Sequence, residues 1–365
     1  MIIRHLKLAA LDILQRLGLS ARVMGSSWRR QRLLILCYHG VSIADEHEWC
    51  PGLYVSQAHL QRRLASLQRL RCNVLPLADA VRQLYAGTLP PRSVALTFDD
   101  GYFDFKSRAL PVLREFGYAA TVYLTTGRVD RNLPNVNLSM SYALWRSQRE
   151  TFDGSGIPGL DGVSRLGTPA ERQQLVQRIV DTLNRQGGSE QRRDDVVRLV
   201  IERAGLDYDA FLASRILTLL RPEEVTQLAR AGVDFQLHTH QHRTPEDPQE
   251  FVADLLLNRE RIHAMTGQWP THFCYPSGNY RAEYPVLLRN CGIESATTCD
   301  PGMAQASHHP LLLPRFVDTS GVSPLLFESW VTGVAARLPR RTTRGGTAAT
   351  GHYVVTGSRP SGALT

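Results

Sequence analysis

The sequence predicts a parallel α/β protein that carries a helical insertion. Short apolar runs alternate with helix-like patterns along most of the 365 residues, and repeated strand–helix units are typical of parallel sheets. The alternation stops between about residues 130 and 220, where Gly-rich and then charged helical sequence takes over. No apolar run reaches the roughly 18 residues that a membrane span requires.

The elements follow from local patterns. We expect helices at 56–70, with Ser56 as N-cap, and at 106–116, ending at Gly117. A further helix begins at Pro222 and ends at Gly232. Apolar runs predict strands at 33–38, 93–98, 119–124, 233–237, 272–275, 293–297 and 311–317, and the last helices fall at 247–265 and 281–290.

The two ends of the chain are more basic than its centre. Residues 1–32 contain seven Lys or Arg and one Asp, and residues 337–365 contain five Arg and no acid, so the +8 net charge leaves a mildly acidic body. This argues against nucleic acid binding and fits either contact with an anionic membrane or partner, or simply solvated ends. We divide the chain into an N-terminal amphipathic helical segment (1–32), one domain (33–335) with the insertion, and a disordered basic tail (336–365).

The N-terminal segment and the cysteines bear on location. Apolar residues between Ile2 and Leu17 follow helical spacing, and charges interrupt them, so we expect an amphipathic helix rather than a secretory signal. This helix either packs on the domain or makes a peripheral membrane contact. The six cysteines form no CxxC pair and are interpreted as small hydrophobes. We expect a cytoplasmic protein, with the inner membrane face as a site of association; the oligomeric state is unknown.

Two adjacent carboxylates, Asp99 and Asp100, end the strand at 93–98 and precede Gly101. Buried carboxylates are costly unless a cation neutralises them, and the carboxyl ends of parallel strands are where active sites form. Gly101 permits a sharp turn that would let both side chains face one cavity. The alternative is that Asp100 caps the following helix.

Three histidines, His238, His240 and His242, follow the strand at 233–237. Two imidazoles and one carboxylate are a common open site for a divalent metal, and Asp100 would supply the carboxylate. A surface histidine cluster is the alternative.

These motifs, TFDDGY at 97–102, HTHQH at 238–242 and FCYPSGNY at 273–280, resemble in order those of the polysaccharide deacetylases, the NodB-homology domain of carbohydrate esterase family 4. The opening Cys37-Tyr38-His39-Gly40-Val41 resembles the bacterial exopolysaccharide branch. The resemblance covers roughly residues 33–320. It implies a distorted (β/α) barrel of the NodB-homology type, with fewer than eight strands, that carries the helical insertion.

The resemblance also implies roles for individual residues. Asp99 would be the general base, and Asp100, His238 and His242 would bind a divalent metal ion, Zn²⁺ being the expected one. The backbone N–H of Tyr102 would stabilise the oxyanion, and Thr239 would orient a histidine or the substrate. The substrate would be bound by Tyr275, Pro276, Gly278, Tyr280 and His39, although packing in the core is an equal alternative for the two tyrosines.

The sequence departs from the family pattern at two places. Cys274 stands where many members have an Arg that orients the base, and we expect Arg315 to replace it. A late Leu-x-His motif that supplies the general acid is missing, which leaves His308, His309 and His39 as candidates.

The sequence thus predicts a metal-dependent hydrolase that removes N-acetyl groups from a polysaccharide or a lipid-linked sugar in exopolysaccharide metabolism. A hydrolase of another amide or ester, and a non-catalytic carbohydrate-binding protein, are the alternatives.

Overall fold

The computed structural model describes residues 9, 11–14, 16–130, 133–187 and 189–338. Its strands, numbered along the chain, are β1 Leu34–Tyr38, β2 Gly40–Val41, β3 Tyr54–Val55, β4 Asn73–Val74, β5 Ser93–Asp100, β6 Thr121–Leu124, β7 Thr151–Asp153, β8 Val163–Arg165, β9 Asp234–Leu237, β10 His272–Cys274, β11 Ser295–Pro301 and β12 Leu313–Val317.

The helices that lie wholly within the described residues are α1 Leu19–Gly25, α2 Ser27–Arg30, α3 Glu46–Trp49, α4 Gln57–Arg69, α5 Leu77–Ala86, α6 Leu110–Glu115, α7 Val136–Arg146, α8 Pro169–Gln186, α9 Glu190–Arg203, α10 Tyr208–Ser214, α11 Pro222–Arg230, α12 Pro248–Thr266, α13 Tyr284–Asn290, α14 Pro324–Thr332 and α15 Val334–Arg337. A π-helical turn, Phe105–Ala109, precedes α6, and a 3₁₀ turn, Pro276–Gly278, follows β10.

Seven parallel strands close into a barrel in the order β1, β12, β11, β10, β9, β6, β5, and β5 pairs back with β1. Strand β4 lies outside the ring, on β5. The seven strands expected from apolar runs are the seven strands of the barrel, so the predicted distorted (β/α) barrel is confirmed. Apolar runs mark them because each strand is covered by helices outside and by side chains inside.

N-caps and the spacing of apolar residues also located most of the longer helices. Ser56 accepts a hydrogen bond from the backbone N–H of His59, as an N-cap of α4 should. Four helices were not predicted: the four-residue α3 and α15, and the longer α5 and α14. The last two bury apolar residues at helical spacing. The helix expected at 106–116 starts with the π-helical turn, which places an extra residue in the turn next to the Asp99-Asp100 motif.

The region from 130 to 220 builds a second hydrophobic core. Helices α7 to α10 and the antiparallel pair β7–β8 supply most of its side chains, but Trp49, Cys50, Leu53 and Tyr54 come from the segment between β2 and β3. The Trp49 ring meets the Tyr142 ring edge-on at 5.5 Å between centroids. The insertion therefore shares its core with residues 49–54, and removing it would expose a buried tryptophan.

The described part of the N-terminal segment packs on the barrel. Arg29 is fully buried and donates hydrogen bonds to the carbonyl oxygens of Val331 (3.0 Å) and Ser93 (3.2 Å). Burial lowers the pKa of Arg29 to about 10. Near the start of the chain, residues 9, 11–14 and 16 are helical, Leu11 is buried, and Ile13 and Leu17 are exposed.

The rest of the helix expected from Ile2 lies outside the described residues. Helix α15 extends to Arg337 at the other end of the domain, and the remainder of the predicted basic tail, from 339 onward, is likewise not described. None of the helices among the described residues combines the length and hydropathy needed to cross a bilayer.

We predict that Trp49→Ala lowers the free energy of unfolding by about 3–5 kcal/mol, because it empties a fully buried site in the shared core. Urea unfolding followed by circular dichroism measures the change. Trp269→Ala is the matched control: Trp269 is 55% exposed, and its replacement should cost much less. Equal losses in the two variants would contradict the shared core.

Candidate active site

The barrel brings the two sequence motifs together at the carboxyl ends of its strands. Strands β5, β6 and β9 are neighbours, and their register aligns Asp100 with Leu124, and Leu124 with Leu237. His238 directly follows Leu237, so it emerges beside Asp100. Parallel strands with this register place motifs that are far apart in sequence at one edge.

Three side chains converge there. The Oδ1 atom of Asp100 lies 3.3 Å from Nε2 of His238 and 3.0 Å from Nε2 of His242. Asp100 and His238 are buried, and the side chain of His242 is 36% exposed. Burial would raise the pKa of Asp100, but the two imidazoles oppose this and hold it well below its usual range. The pKa of His242 is raised, because the attraction of Asp100 outweighs burial, which by itself would lower it.

This arrangement fits a divalent metal ion. The buried Oδ1 atom of Asp100 makes no hydrogen bond of good geometry within the described residues, despite its closeness to the two rings. The Nδ1 atom of His238 lies 2.9 Å from the backbone carbonyl oxygen of Cys274. That carbonyl can only accept, so Nδ1 carries the proton and Nε2 presents a lone pair toward Asp100. One carboxylate and two such nitrogens are a usual ligand set for zinc.

Both motifs contain strained backbone. Asp100 (φ 71°), Thr239 (φ 62°) and His242 (φ 52°) all adopt the left-handed conformation. This region costs a non-glycine residue on the order of 1–3 kcal/mol. The turn at Asp100 continues through Gly101 and directs the two adjacent carboxylates to different partners. The Oγ1 atom of Thr239 accepts a hydrogen bond from the backbone N–H of Arg243, which closes the turn around His242.

Helix α12 holds the histidine loop through two buried residues that sequence analysis missed. Asp254 accepts hydrogen bonds from the backbone N–H groups of His240 (2.6 Å) and Gln241 (3.2 Å). The side chain of Asn258 accepts a hydrogen bond from the backbone N–H of His238 and donates one to the carbonyl oxygen of Leu124. The sequence did contain a signal: Asp254 and Asn258 are four residues apart and so lie on the same face of the helix as the buried Phe251 and Leu255.

The other carboxylate, Asp99, forms a buried ion pair with Arg315. Nη1 of Arg315 donates to Oδ1 of Asp99 and Nη2 to Oδ2, both at 2.8 Å. The guanidinium also donates to the carbonyl oxygen of Thr298. Burial alone would raise the pKa of Asp99, but Arg315 outweighs this and lowers it below its usual range. Asp99 is therefore ionised at neutral pH, in the place where the resemblance puts a base that Arg315 orients.

Thiols complete the surroundings of Asp99. The Sγ atoms of Cys37 and Cys274 each lie 3.5 Å from its Oδ2, and Cys299 Sγ lies 3.6 Å from Nη2 of Arg315. Burial raises the pKa of both Cys37 and Cys274, so they stay protonated and can donate weak hydrogen bonds. The interpretation of these cysteines as merely small hydrophobes was wrong, because three strands turn them toward one ion pair.

His39 is the one general-acid candidate that lies near these groups. Its Nε2 is 3.8 Å from Oδ2 of Asp99, and burial lowers its pKa. His308 and His309 precede the amino end of β12, and their contacts are with Tyr85 and Arg289. A five-residue strand is about 16 Å long, so both lie toward the opposite end of the barrel, and the expectation that they are near the site was wrong.

The residues predicted to bind substrate after β10 fall mostly in the core. Tyr275 is fully buried and donates its hydroxyl to the carbonyl oxygen of Leu311, so its proposed place in a sugar groove was wrong. Pro276 is buried, and Gly278 (φ 70°) packs so closely on Cys299 that a Cβ atom would lie 2.7 Å from the Cys299 Cβ. Tyr280 is half-buried and its hydroxyl is 3.4 Å from Asp300.

A cavity of about 830 Å³ opens above the candidate metal ligands. Asp100, Tyr102 and His242 border it on the barrel side, as does Ser277, which sequence analysis did not single out. Pro276, Gly278, Tyr280 and His39 are not among its described lining residues, nor is Asp99. The cavity's opposite wall belongs to the insertion.

We predict that Arg315→Gln lowers the free energy of unfolding by about 3–5 kcal/mol, because it leaves the charge of Asp99 buried and uncompensated. Adding Asp99→Asn should recover part of the loss. Urea unfolding measures both. Arg69→Gln removes an exposed ion pair with Glu328 and should cost at most about 1 kcal/mol. A small effect of Arg315→Gln, similar to that of Arg69→Gln, would contradict the assignment.

Comparisons with known proteins find the same fold in solved structures. Among solved structures, a deacetylase of Streptococcus pyogenes, PplD, solved with acetate, has a TM-score of 0.54 at 17% identity and covers 84% of this chain and 99% of its own. IcaB from Ammonifex degensii has a TM-score of 0.53 at 15% identity, and the match covers 82% of this chain and 97% of the IcaB chain. At such identities the likeness shows the fold.

The sequence comparisons go further. YxkH of Bacillus subtilis (strain 168), whose name assigns it to the polysaccharide deacetylases, is 26% identical over 117 residues, which are 31% of this chain and only 41% of that relative. The sequence profile of the polysaccharide deacetylases matches residues 86–296, more than half of the chain. This span includes the carboxylate pair, the histidine loop and the segment after β10, and the chain therefore belongs to the polysaccharide deacetylase family.

Proposed function

We propose that the protein is a metal-dependent hydrolase that removes N-acetyl groups from an N-acetylated polysaccharide or lipid-linked sugar. One observation carries the proposal: Asp100, His238 and His242 converge beside a buried Asp99–Arg315 pair at the floor of a cavity, in a chain of the deacetylase family. Carbohydrate binding without catalysis would not require a strained metal-ligand loop beside an ionised carboxylate.

The ligands proposed for the metal are Oδ1 of Asp100 and the Nε2 atoms of His238 and His242. When bound, a zinc ion lowers the pKa of water to about 7 and polarises a carbonyl group. The residues of the chain perform the remaining tasks. The carbonyl of Cys274 keeps the His238 ring in its ligating orientation, and Asn258 holds the backbone of His238.

Asp99 is the proposed general base. It is ionised because of Arg315, and the two-point contact with the guanidinium fixes the plane of its carboxylate. The backbone N–H of Tyr102, at the cavity border, is proposed to stabilise the negative charge that develops on the acetyl oxygen. His39 is the proposed proton donor to the leaving amine. Because burial lowers its pKa, it must first receive the proton that Asp99, 3.8 Å away, takes from water.

Exopolysaccharide metabolism and a cytoplasmic location, at the inner membrane face, remain part of the proposal. Support for the first is that the opening Cys37-Tyr38-His39 motif, which resembles the exopolysaccharide branch, lies next to the site. Support for the second is the amphipathic pattern of the N-terminal segment.

We predict that Asp99→Asn lowers the free energy of unfolding, because the charge of Arg315 then stays buried without its partner. Under native conditions the variant should still fold and retain metal, but it should release acetate from an N-acetylated oligosaccharide roughly 10²–10⁴ times more slowly, since Asn cannot accept a proton. Asp100→Asn should lose metal as well as turnover. Acetate release and metal content are measured side by side, with circular dichroism as the check on folding. Wild-type activity in Asp99→Asn would refute the base assignment, and an ester substrate preferred over the amide would favour the alternative hydrolase.

A second prediction concerns the metal. Purified full-length protein should retain one divalent ion per chain after dialysis, and His242→Ala and His238→Ala should lose it, because each removes one of three ligands. His240→Ala is the control: His240 belongs to the same loop but contacts Thr126 rather than Asp100. Elemental analysis gives the stoichiometry. Loss of metal in His240→Ala alone would show that the ligand set is misassigned.

A further inference from the structure

The cavity above the site extends far beyond the proposed metal ligands. Its volume of about 830 Å³ lies in the upper part of the range for pockets that enclose a small-molecule ligand. Asp100 and His242 border it at the barrel, whereas Asn184 and Arg193 border it where α8 leads into α9. A single acetylated sugar at the barrel end would leave the other end unfilled.

Helix α8 forms the long wall of this cavity. Gln173, Val176, Gln177, Val180 and Asn184 all line it, and their spacing of three or four residues places them on one face of the helix. Between Gln173 and Asn184 this face is about 16 Å long at 1.5 Å per residue. The face is therefore longer than one pyranose ring, and amide and apolar side chains alternate along it.

The amides on this wall are available to a ligand. Gln173 on α8 and Asn137 on α7 both line the cavity and are exposed, and their side chains form no hydrogen bond with another described residue. An amide side chain offers both donors and an acceptor without a charge. It therefore suits the hydroxyl and acetamido groups of a sugar, while Val176 and Val180 suit the C–H faces of the ring.

The cationic side chains of the cavity are already compensated. Arg128 lies 2.5 Å from a carboxylate oxygen of Glu190 and 3.8 Å from one of Asp194. Arg193 donates to the Asn184 side chain at 3.2 Å and lies 3.9 Å from Glu190, so these two arginines face two acids. The third lining arginine, Arg243, is 4.0 Å from Glu250. This part of the cavity therefore does not provide the uncompensated positive charge that a phosphate or diphosphate group would select.

We propose that Asn137 and Gln173, here called the amide wall, bind the sugar units next to the one that is deacetylated. The substrate is accordingly an uncharged chain of several N-acetylated sugars rather than a monosaccharide carried on a diphosphate. This rests on the proposed function and makes the insertion the part of the molecule that selects chain length.

Neighbouring glutamines on α8 give a matched pair of variants. Gln173 lines the cavity, and Gln174, also exposed and on the same helix, does not. Full-length, zinc-loaded wild type, Gln173→Ala and Gln174→Ala are compared on N-acetylglucosamine, its β-linked pentamer and uridine diphosphate N-acetylglucosamine. Acetate release gives the ratio of kcat/KM for the pentamer to that for the monomer, and titration calorimetry gives the Kd of each probe.

We expect Gln173→Ala to lower the pentamer-to-monomer ratio, and to weaken pentamer binding, by roughly twofold to tenfold, the effect of one neutral hydrogen bond. Gln174→Ala should match wild type. Equal behaviour of the two variants, no binding of the pentamer, or tighter binding of the diphosphate sugar would overturn the inference. If wild type binds the pentamer but releases no acetate, the proposed function fails, and the comparison of Kd values still decides the amide wall.

Discussion

The candidate site depends on the ion pair between Asp99 and Arg315. A carboxylate that is 2% exposed inside a barrel would be unstable without a compensating charge. Arg315 reaches it from β12, which neighbours β1, and β1 pairs with β5 to close the ring. The pair can therefore form only when the barrel closes, and it links closure of the fold to the ionisation of a residue at the proposed reaction centre.

The ion pair with Arg315 also gives Asp99 a different role from its neighbour Asp100. Asp99 faces Arg315 and the thiols inside the barrel, whereas the left-handed backbone at Asp100 directs the next carboxylate to the histidines. The cost of this turn, and of the similar conformations at Thr239 and His242, is offset by the surrounding structure. Asp254 and Asn258 of α12 bind the backbone of the histidine loop and hold it in that conformation.

The insertion changes what such a barrel can bind. Its helices form their own core with Trp49 and its neighbours, so α8 stands as a rigid wall opposite the carboxyl ends of the strands. An open barrel end would leave the candidate metal ligands accessible to many acetylated molecules. The α8 wall is about 16 Å long and carries amides, and the charges beside it are compensated. Its length and polarity would therefore limit which ligands fit the cavity.

The sequence by itself determined the seven barrel strands, the N-cap at Ser56, and the two motifs that bring Asp100 close to His238 and His242. Those features are local, since each is set by an apolar run, a cap or the residues just after a strand. Only the tertiary structure decided that Tyr275 is buried in the core, that His308 and His309 lie toward the far end of the barrel, that Cys37 and Cys274 face Asp99, and that Trp49 belongs to the core of the insertion. Each of these depends on which distant segments become neighbours when the barrel closes, and residue patterns along the chain do not carry that information.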